Sequence, residues 1–319
     1  MRQLPTIGIE GIAYSIPQRR FSIDELSSAH KIVSSEAALR SFGFEYCHIA
    51  ERDEMLTLLE SSARKTIADS KVVLADIGTL ILYSGLGFEY ALPKKIDTHN
   101  SPLDLFRYPV ARLANTLGLS HARTFALSQE GCNGLFSALA LAEKLLDTSE
   151  KHTLCVFGDM LPDGVSREIM YNVMSDAASS AIVRHDAKKN FIRSFSTLSH
   201  PYYWDTPTCE AELLAAYFPM ALRAISNALR DAGLTPADIQ WVIPHNVSLR
   251  SWEILAKLIC IPEERIWLSN IARIGHTVST DHFINLADME KANVLKSGDK
   301  LLCFGFGFGA SWSTMIIEH

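Results

Sequence analysis

Three short segments of this 319-residue chain recur in the same order, and that repetition limits the possible folds more than any other feature. "LLESSARKTIADSKVVLADIGTLILYSG" reads as helix, short turn and buried strand. "ALRAISNALRDAGLTPADIQWVIPHN" repeats the plan, with Gly233 as a helix C-cap and Pro236 just beyond it. Both carry Ala-Asp-Ile, at Ala75 to Ile77 and Ala237 to Ile239, 162 positions apart. "LANTLGLSHARTFALS" from Leu113 pairs with "LAKLICIPEERIWLSN" from Leu255 at an offset of 142, which sets Phe125 opposite Trp267. "LCVFG" from Leu154 pairs with "LCFGF" from Leu302 at an offset of 148. The fall in offset marks an insertion in the first half. "GFEYALPKKIDTHNSPLDLFRY", rich in Pro, Asp and Asn, reads as that excursion loop. Each match is short, but three in one order argue for an internal duplication. Alternating strands and helices predict an α/β architecture with helices covering sheets. The seam falls in the polar "RHDAKKNFIRS", after Val183. It divides the chain into residues 1–185, with the inserted loop near 88–107, and residues 186–319.

With 48% hydrophobic and 21% charged residues, the chain can build a substantial core. Its net charge is -6 with pI near 6.0 and no basic block, which argues against nucleic acid as a partner. Scattered arginines can still meet a phosphorylated cofactor or an acidic carrier protein. No apolar run reaches the ~18 residues of a membrane span. The N-terminal "MRQLPTIGIEGIAYSIP" reads as a strand rather than a signal peptide. The six cysteines form no C-x-x-C pair and lie mostly in apolar runs, as expected for reduced thiols in a cytoplasmic protein.

One of them is placed unusually. In "FALSQEGCNGLFSALALAEKLL" a β-type run ends at a glycine, Cys132 follows, and an apolar helix begins. Free N–H groups and the helix dipole at such a turn favour an anion, which raises the thiolate fraction. The nucleophile's own backbone N–H can also bind an oxyanion. The plain structural reading is an inert, buried cysteine, a common fate for this residue. The repeat supplies a counterpart: after "RIWLSNIARIG" comes His276, again between a β run and a helix. "WVIPHNVSLRSWEILAKL" adds His245 at a third strand-to-helix junction. Strand ends are where α/β folds place functional groups. A thiol and two imidazoles there make a nucleophile and acid/base set, against the plain reading of each histidine as a capping or core residue. The other nine histidines lack this setting and are read as ordinary. The spacings contain no short ligand pair, so no metal site is expected. "LLCFGFGFGASWSTMII" reads as strand, tight glycine turn, strand, not a dinucleotide fingerprint, and Asp176 as a structural carboxylate bonding backbone.

Taken together, these residues resemble the ketoacyl-acyl carrier protein synthase III branch of the thiolase superfamily. The resemblance rests on "FGFEYCHIAERDEM", "YPVARLANTLG", "EGCNGLFSALALAEKLL", "SDAASSAIV", "VIPHN", "RIGHT" and "GFGFGASWS", and covers nearly the whole chain. It implies a duplicated, five-layered αβαβα fold and a homodimer. It implies that Cys132 is the acylated nucleophile, that His245 is catalytic, and that the backbone N–H groups of Cys132 and Phe308 form an oxyanion hole. His276 stands where this branch usually has asparagine. The resulting Cys-His-His set is similar to that of the elongating ketosynthases. Arg167 falls near a substrate-binding arginine of the family, and Tyr108 near a position that reaches the partner subunit's site. The family's adenine-stacking tryptophan is missing from "VSSEAALRSFGF", which favours a thioester on acyl carrier protein over coenzyme A.

The activity implied is acyl transfer to Cys132 followed by decarboxylative condensation with a malonyl-type thioester, in fatty-acid or natural-product biosynthesis, with no cofactor. His245 and His276 would hold the thioester oxygen, so loss of His276 is expected to impair condensation more than acylation. Two other readings stand beside this one. One is transfer to a hydroxyl or amine without decarboxylation, with His245 as general base. The other is a non-catalytic ketosynthase-like partner subunit.

Overall fold

Short runs buried on both faces make most of the strands. In the computed structural model, which describes residues 7–88, 101–146 and 152–319, nine strands form one continuous sheet. They are Gly8–Ser15 (β1), Ile77–Ser84 (β2), Arg123–Ser128 (β3), His152–Asp159 (β4), Ala177–Arg184 (β5), Phe191–Ser199 (β6), Trp241–Pro244 (β7), Lys300–Gly307 (β8) and Ser311–Glu318 (β9). Their order is β7-β8-β9-β6-β1-β5-β4-β2-β3. The two ends repeat each other. In β3-β2-β4-β5-β1 the strands β2, β3 and β4 run parallel, and β5 runs antiparallel to its neighbours. In the second set β7 and β8 are parallel and β9 is antiparallel to both β8 and β6. The third strand of this set shrinks to a parallel bridge from Val242 to Ile266, one residue before the Trp267 that the repeat sets opposite Phe125. Both Ala-Asp-Ile segments lie where a 3-10 turn enters a strand, at Leu74–Asp76 and Pro236–Asp238.

Strands β1 and β6 pair only at Gly8 and Phe191, so the sheet behaves as two layers joined at a hinge. Successive side chains point to opposite faces of each layer. Leu80, Leu82, Leu154 and Val156 face an outer helix, Glu54–Ser70 (α1), through Met55, Leu59 and Ala63. Their neighbours Ile81, Tyr83, Cys155 and Phe157 face inward. In the second layer Leu302, Phe304 and Ile316 pack on Glu210–Ala232 (α3) and Leu249–Ile259 (α4), while Leu301, Cys303 and Ile317 face inward. Between the two inward faces lie Gly134–Leu146 (α2) and Asp281–Lys291 (α5), through Leu135, Phe136, Leu139, Phe283, Leu286 and Met289. The result is the duplicated five-layered αβαβα sandwich. Gly233 ends α3 in the left-handed conformation, φ 69°, as expected of a glycine C-cap. All six cysteines are free, and burial pushes the inward thiols of Cys155 and Cys303 upward. Among the described residues no helix is long and apolar enough to cross a membrane.

The start of α2 depends on two glycines. A Cβ on Gly134 would lie 1.7 Å from the Tyr83 ring, so only glycine lets that ring support the turn. The Tyr83 hydroxyl donates to Gly131 O at 2.7 Å and accepts from Glu130 N–H at 3.2 Å. Gly131 has φ +53°, and a Cβ there would lie 2.9 Å from Phe308 N. The glycine-rich segment is the hairpin β8–β9. Of the insertion, only residues 101–107 and the preceding Phe88 belong to the described residues. Deleting the Tyr83 hydroxyl removes hydrogen bonds worth about 1 kcal/mol each. Overpacking an interior costs about 3 kcal/mol when the neighbour is a fixed ring. Gly134→Ala is therefore expected to lower the urea midpoint more than Tyr83→Phe does; the reverse order would contradict this packing.

Candidate active site

Cys132 sits in the 3-10 turn Gly131–Asn133 that opens α2. Asn133 pins this turn to β9, its Nδ2 donating to Ser311 O at 2.8 Å and Ser311 Oγ at 2.9 Å. His245 follows the last residue of β7, and the Trp252 indole N–H donates to its carbonyl at 3.0 Å. His276 lies in the loop between helix Ser269–Ile274 and α5. Its N–H donates to Val173 O and its carbonyl accepts from Ser175 N–H, each at 2.8 Å. The sequence places His276 directly after a β run, but that run shrinks to the bridge at Ile266 and a short helix intervenes; Cys132, His245 and His276 nevertheless all line one cavity of about 140 Å³.

Cys132 Sγ is 3.1 Å from His276 Nε2. The other ring nitrogen, His276 Nδ1, is 2.5 Å from Asp281 Oδ2. Asp281 is fully buried at the first turn of α5 and also accepts from Asn246 N–H at 2.6 Å and Thr277 N–H at 2.7 Å. Nucleophile, imidazole and orienting carboxylate are the parts of a catalytic triad. Burial alone would push His276 down, but the negative charges of Cys132 and Asp281 outweigh it and hold His276 well above its ordinary 6.5. Asp281 is lowered despite its own burial, because the imidazolium and its donors favour the carboxylate. The loop between them carries Val278 at φ 56°, an unusual conformation for a β-branched residue. Val278 packs against Cys132, Leu161 and Met174, and buried Asp159 holds the next residue through Ser279 N–H and Oγ.

His245 is different. Burial, then the positive His276 nearby, drive it well below 6.5, so it is neutral. Its Nε2 lies 3.5 Å from the Tyr217 hydroxyl of α3, and its Nδ1 is buried without a hydrogen-bond partner among the described residues. The His245 and His276 rings meet edge to face at 5.7 Å. His282, one of the nine histidines read as ordinary, stacks on His245 at 6.3 Å and bonds Phe304 O at 3.0 Å.

Phe308 lines the cavity, and its N–H lies beside the Gly131 turn, close to Cys132. The other two expected substrate residues are elsewhere. Arg167 is 3% exposed and bidentate on Asp176, at 2.6 and 3.1 Å, so its guanidinium is committed. Asp176 needs that charge because it also accepts from Ala50 N–H and Leu161 N–H while fully buried. Tyr108 is 54% exposed at the head of helix Pro109–Thr116, against Phe106, and does not line the cavity. Asp281 and Tyr217 were absent from the sequence reading. "GHTVSTD" held a signal for the first, since an acidic residue five positions after a candidate base can return to it through a loop. No local signal marks Tyr217.

Residues 229–319 match the family described as 3-oxoacyl-[acyl-carrier-protein (ACP)] synthase III C terminal. Over 333 aligned residues the chain is 22% identical to the β-ketoacyl-[acyl-carrier-protein] synthase III of Clostridium beijerinckii, covering 99% of this chain and 100% of that protein. The fold is similar to the crystal structure of 3-oxoacyl-[acyl-carrier-protein] synthase III from Aquifex aeolicus VF5, with a TM-score of 0.82, 19% identity, and coverage of 98% of this chain and 100% of that one. It is also similar to the acyltransferase ChlB3, with a TM-score of 0.81, 19% identity and 98% of each chain covered.

The raised value of His276 gives a signed pH dependence. Its contribution to stability is complete below 6.5 and is lost as pH rises through the elevated folded value. That of Asp281 is present above 3.8 and is lost as pH falls through its depressed folded value. Asp281→Asn removes the charge that supports the imidazolium. Iodoacetamide labelling at neutral pH, read at Cys132 by peptide mass, is expected to slow on the order of tenfold, the equivalent of about one pKa unit of lost pairing. An unchanged rate would show that Asp281 does not act on the thiol.

Proposed function

We propose that this chain is a ketoacyl-acyl carrier protein synthase III-like acyltransferase of the thiolase superfamily, in which Cys132 carries the acyl group and passes it to a malonyl-type thioester. The observation that carries this reading is the Cys132–His276–Asp281 relay facing the cavity. In the first step His276 holds the thiol proton, and the Cys132 thiolate attacks the thioester carbonyl. The N–H groups of Cys132 and Phe308 receive the developing oxyanion; a donor of this kind contributes about 3 kcal/mol. The departing thiolate takes the proton from His276. In the second step the malonyl carboxylate leaves as carbon dioxide and its electron pair forms an enolate, held by His245. Its carbon attacks the acyl carbon, the C–S bond breaks, and a β-ketoacyl thioester leaves.

His276 on this account serves the thiol first. His276→Ala would therefore slow acylation as well as condensation, in contrast to the sequence-based expectation. No Asp, Glu, Lys or Arg lines the cavity among the described residues, which supports an apolar acyl group and leaves any charged part of the donor outside. Carrier protein and coenzyme A both remain suitable donors.

The acyl-cysteine supports a second outcome, transfer to a hydroxyl or amine. One observation favours it: His276 has a carboxylate behind it, so after losing its proton it can take one from an acceptor. The general base is then His276, not His245, whose neutral ring has no carboxylate partner. The converging thiol, imidazoles and cavity argue against a non-catalytic subunit.

The homodimer belongs to the same reading. Among the described residues strand β3 is an unpaired sheet edge, with a single charged side chain, Arg123, and partly exposed Phe125 and Leu127. Pairing of two such edges would bury it and would leave Tyr108 to serve the partner's site. Residues 1–185 and 186–319 are the two duplicated halves. Six free cysteines suit the reducing cytoplasm.

Intact-protein mass after incubation with an acyl thioester tests the proposal. An adduct is expected on the wild type and not on Cys132→Ala. Addition of malonyl thioester is then expected to discharge it with carbon dioxide release and a product two carbons longer. An ester or amide without carbon dioxide would establish the second outcome, and no adduct would leave only a binding role.

A further inference from the structure

In this site His276 is fully engaged. One ring nitrogen faces the Cys132 sulfur and the other faces Asp281; once the departing thiolate has taken the Nε2 proton, the remaining N–H is held by Asp281, so His276 has no donor to spare for a second substrate. Another polar group converges on the cavity instead. Tyr217 projects from α3, with its ring set edge-on to Phe306 at 5.4 Å and to Phe218 at 5.0 Å. These contacts aim its hydroxyl at His245 Nε2, 3.5 Å away. An N–H on His245 Nδ1 would be an orphaned donor in the core, so the network assigns the proton to Nε2. The Nε2–H and the Tyr217 O–H are then two donors at a spacing that lets one oxygen accept from both at about 2.8 Å. A long contact in the empty site is the expected state of groups that tighten only on substrate. Burial and the charge of Cys132 raise Tyr217, so it keeps its proton and acts as a donor, not as a base.

We propose that Tyr217 is a catalytic residue of the second half-reaction, pairing with His245 to hold the oxygen of the substrate that receives the acyl group. In the condensation the bond to the carboxylate breaks, carbon dioxide leaves, and the electron pair moves onto the thioester oxygen between these two donors. Neither donor gives up its proton. The enolate carbon then attacks the acyl carbon, and Cys132 departs as thiolate. This role rests on the proposed acyl-cysteine.

The test separates the two half-reactions. Wild type and Tyr217→Phe are acylated with a short acyl-pantetheine thioester, and adduct growth is followed by intact mass. Malonyl-pantetheine is then added, and adduct decay and carbon dioxide are timed. Phenylalanine keeps the ring contacts, so a merely structural role predicts no change in either step. The expected result is acylation within about twofold of wild type, decay at least about tenfold slower, and a fall in kcat with little change in KM for the malonyl thioester. Decay at the wild-type rate, or an equal loss in both steps, would overturn the role of Tyr217 while leaving the acyl-cysteine intact. Absence of any adduct on wild-type Cys132 would overturn both.

Discussion

One buried carboxylate ties the site together. Asp281 accepts hydrogen bonds from the backbone beside His245, through Asn246 N–H, and from the His276 loop, through Thr277 N–H and the imidazole itself. Taking a carboxylate out of water is costly unless it is paired and fully bonded. Here the pairing is met by His276, whose other ring nitrogen faces the Cys132 sulfur. The charge is therefore held in place by the same contacts that align strand end, loop and nucleophile. Removing His276 would leave Asp281 as an unpaired charge in the core, so the triad and the local fold are one structure.

The larger architecture makes this possible. Duplication supplies two sheet layers whose strand ends open in the same region, and α2 and α5 run between them. Cys132 comes from the helix of one half, and His245 and His276 from the other. Tyr83 supports the nucleophile turn from the first layer, Asn133 ties it to the second, and Asp159 holds the strained loop at Val278. The Cys132 turn and the His276 loop are each braced from both halves, which gives the fixed geometry that acyl transfer needs.

Much of this was legible in the sequence because it is periodic. Short apolar runs place β2, β7, β8 and β9, and the repeat matches segments of the two halves. The junctions at Cys132 and His245 follow from where strands end, whereas His276 follows a short helix that the sequence did not announce. What was not legible depends on partners distant in the chain. Arg167 has the composition of an anion-binding residue, but its guanidinium is consumed by Asp176, a pairing that no local spacing reveals. Asp281 drew no reading of its own, because its return to His276 runs through a loop. His282 and Tyr217 gained their places beside His245 only when α3 and α5 closed on β7. The third strand of the second half also kept its place in the order while losing its ladder, so "RIWLSN" reads stronger as a strand than it is.

The central claim is that His276 is an imidazolium held between Cys132 and Asp281. Nitrogen-15 NMR of the histidine rings tests it most directly, by titrating His276 in the wild type and in Cys132→Ser. The account predicts a doubly protonated His276 ring at neutral pH in the wild type, with its titration moving downward once the sulfur is replaced. A neutral His276 ring in the wild type, or a titration that does not move on loss of the thiol, would contradict it.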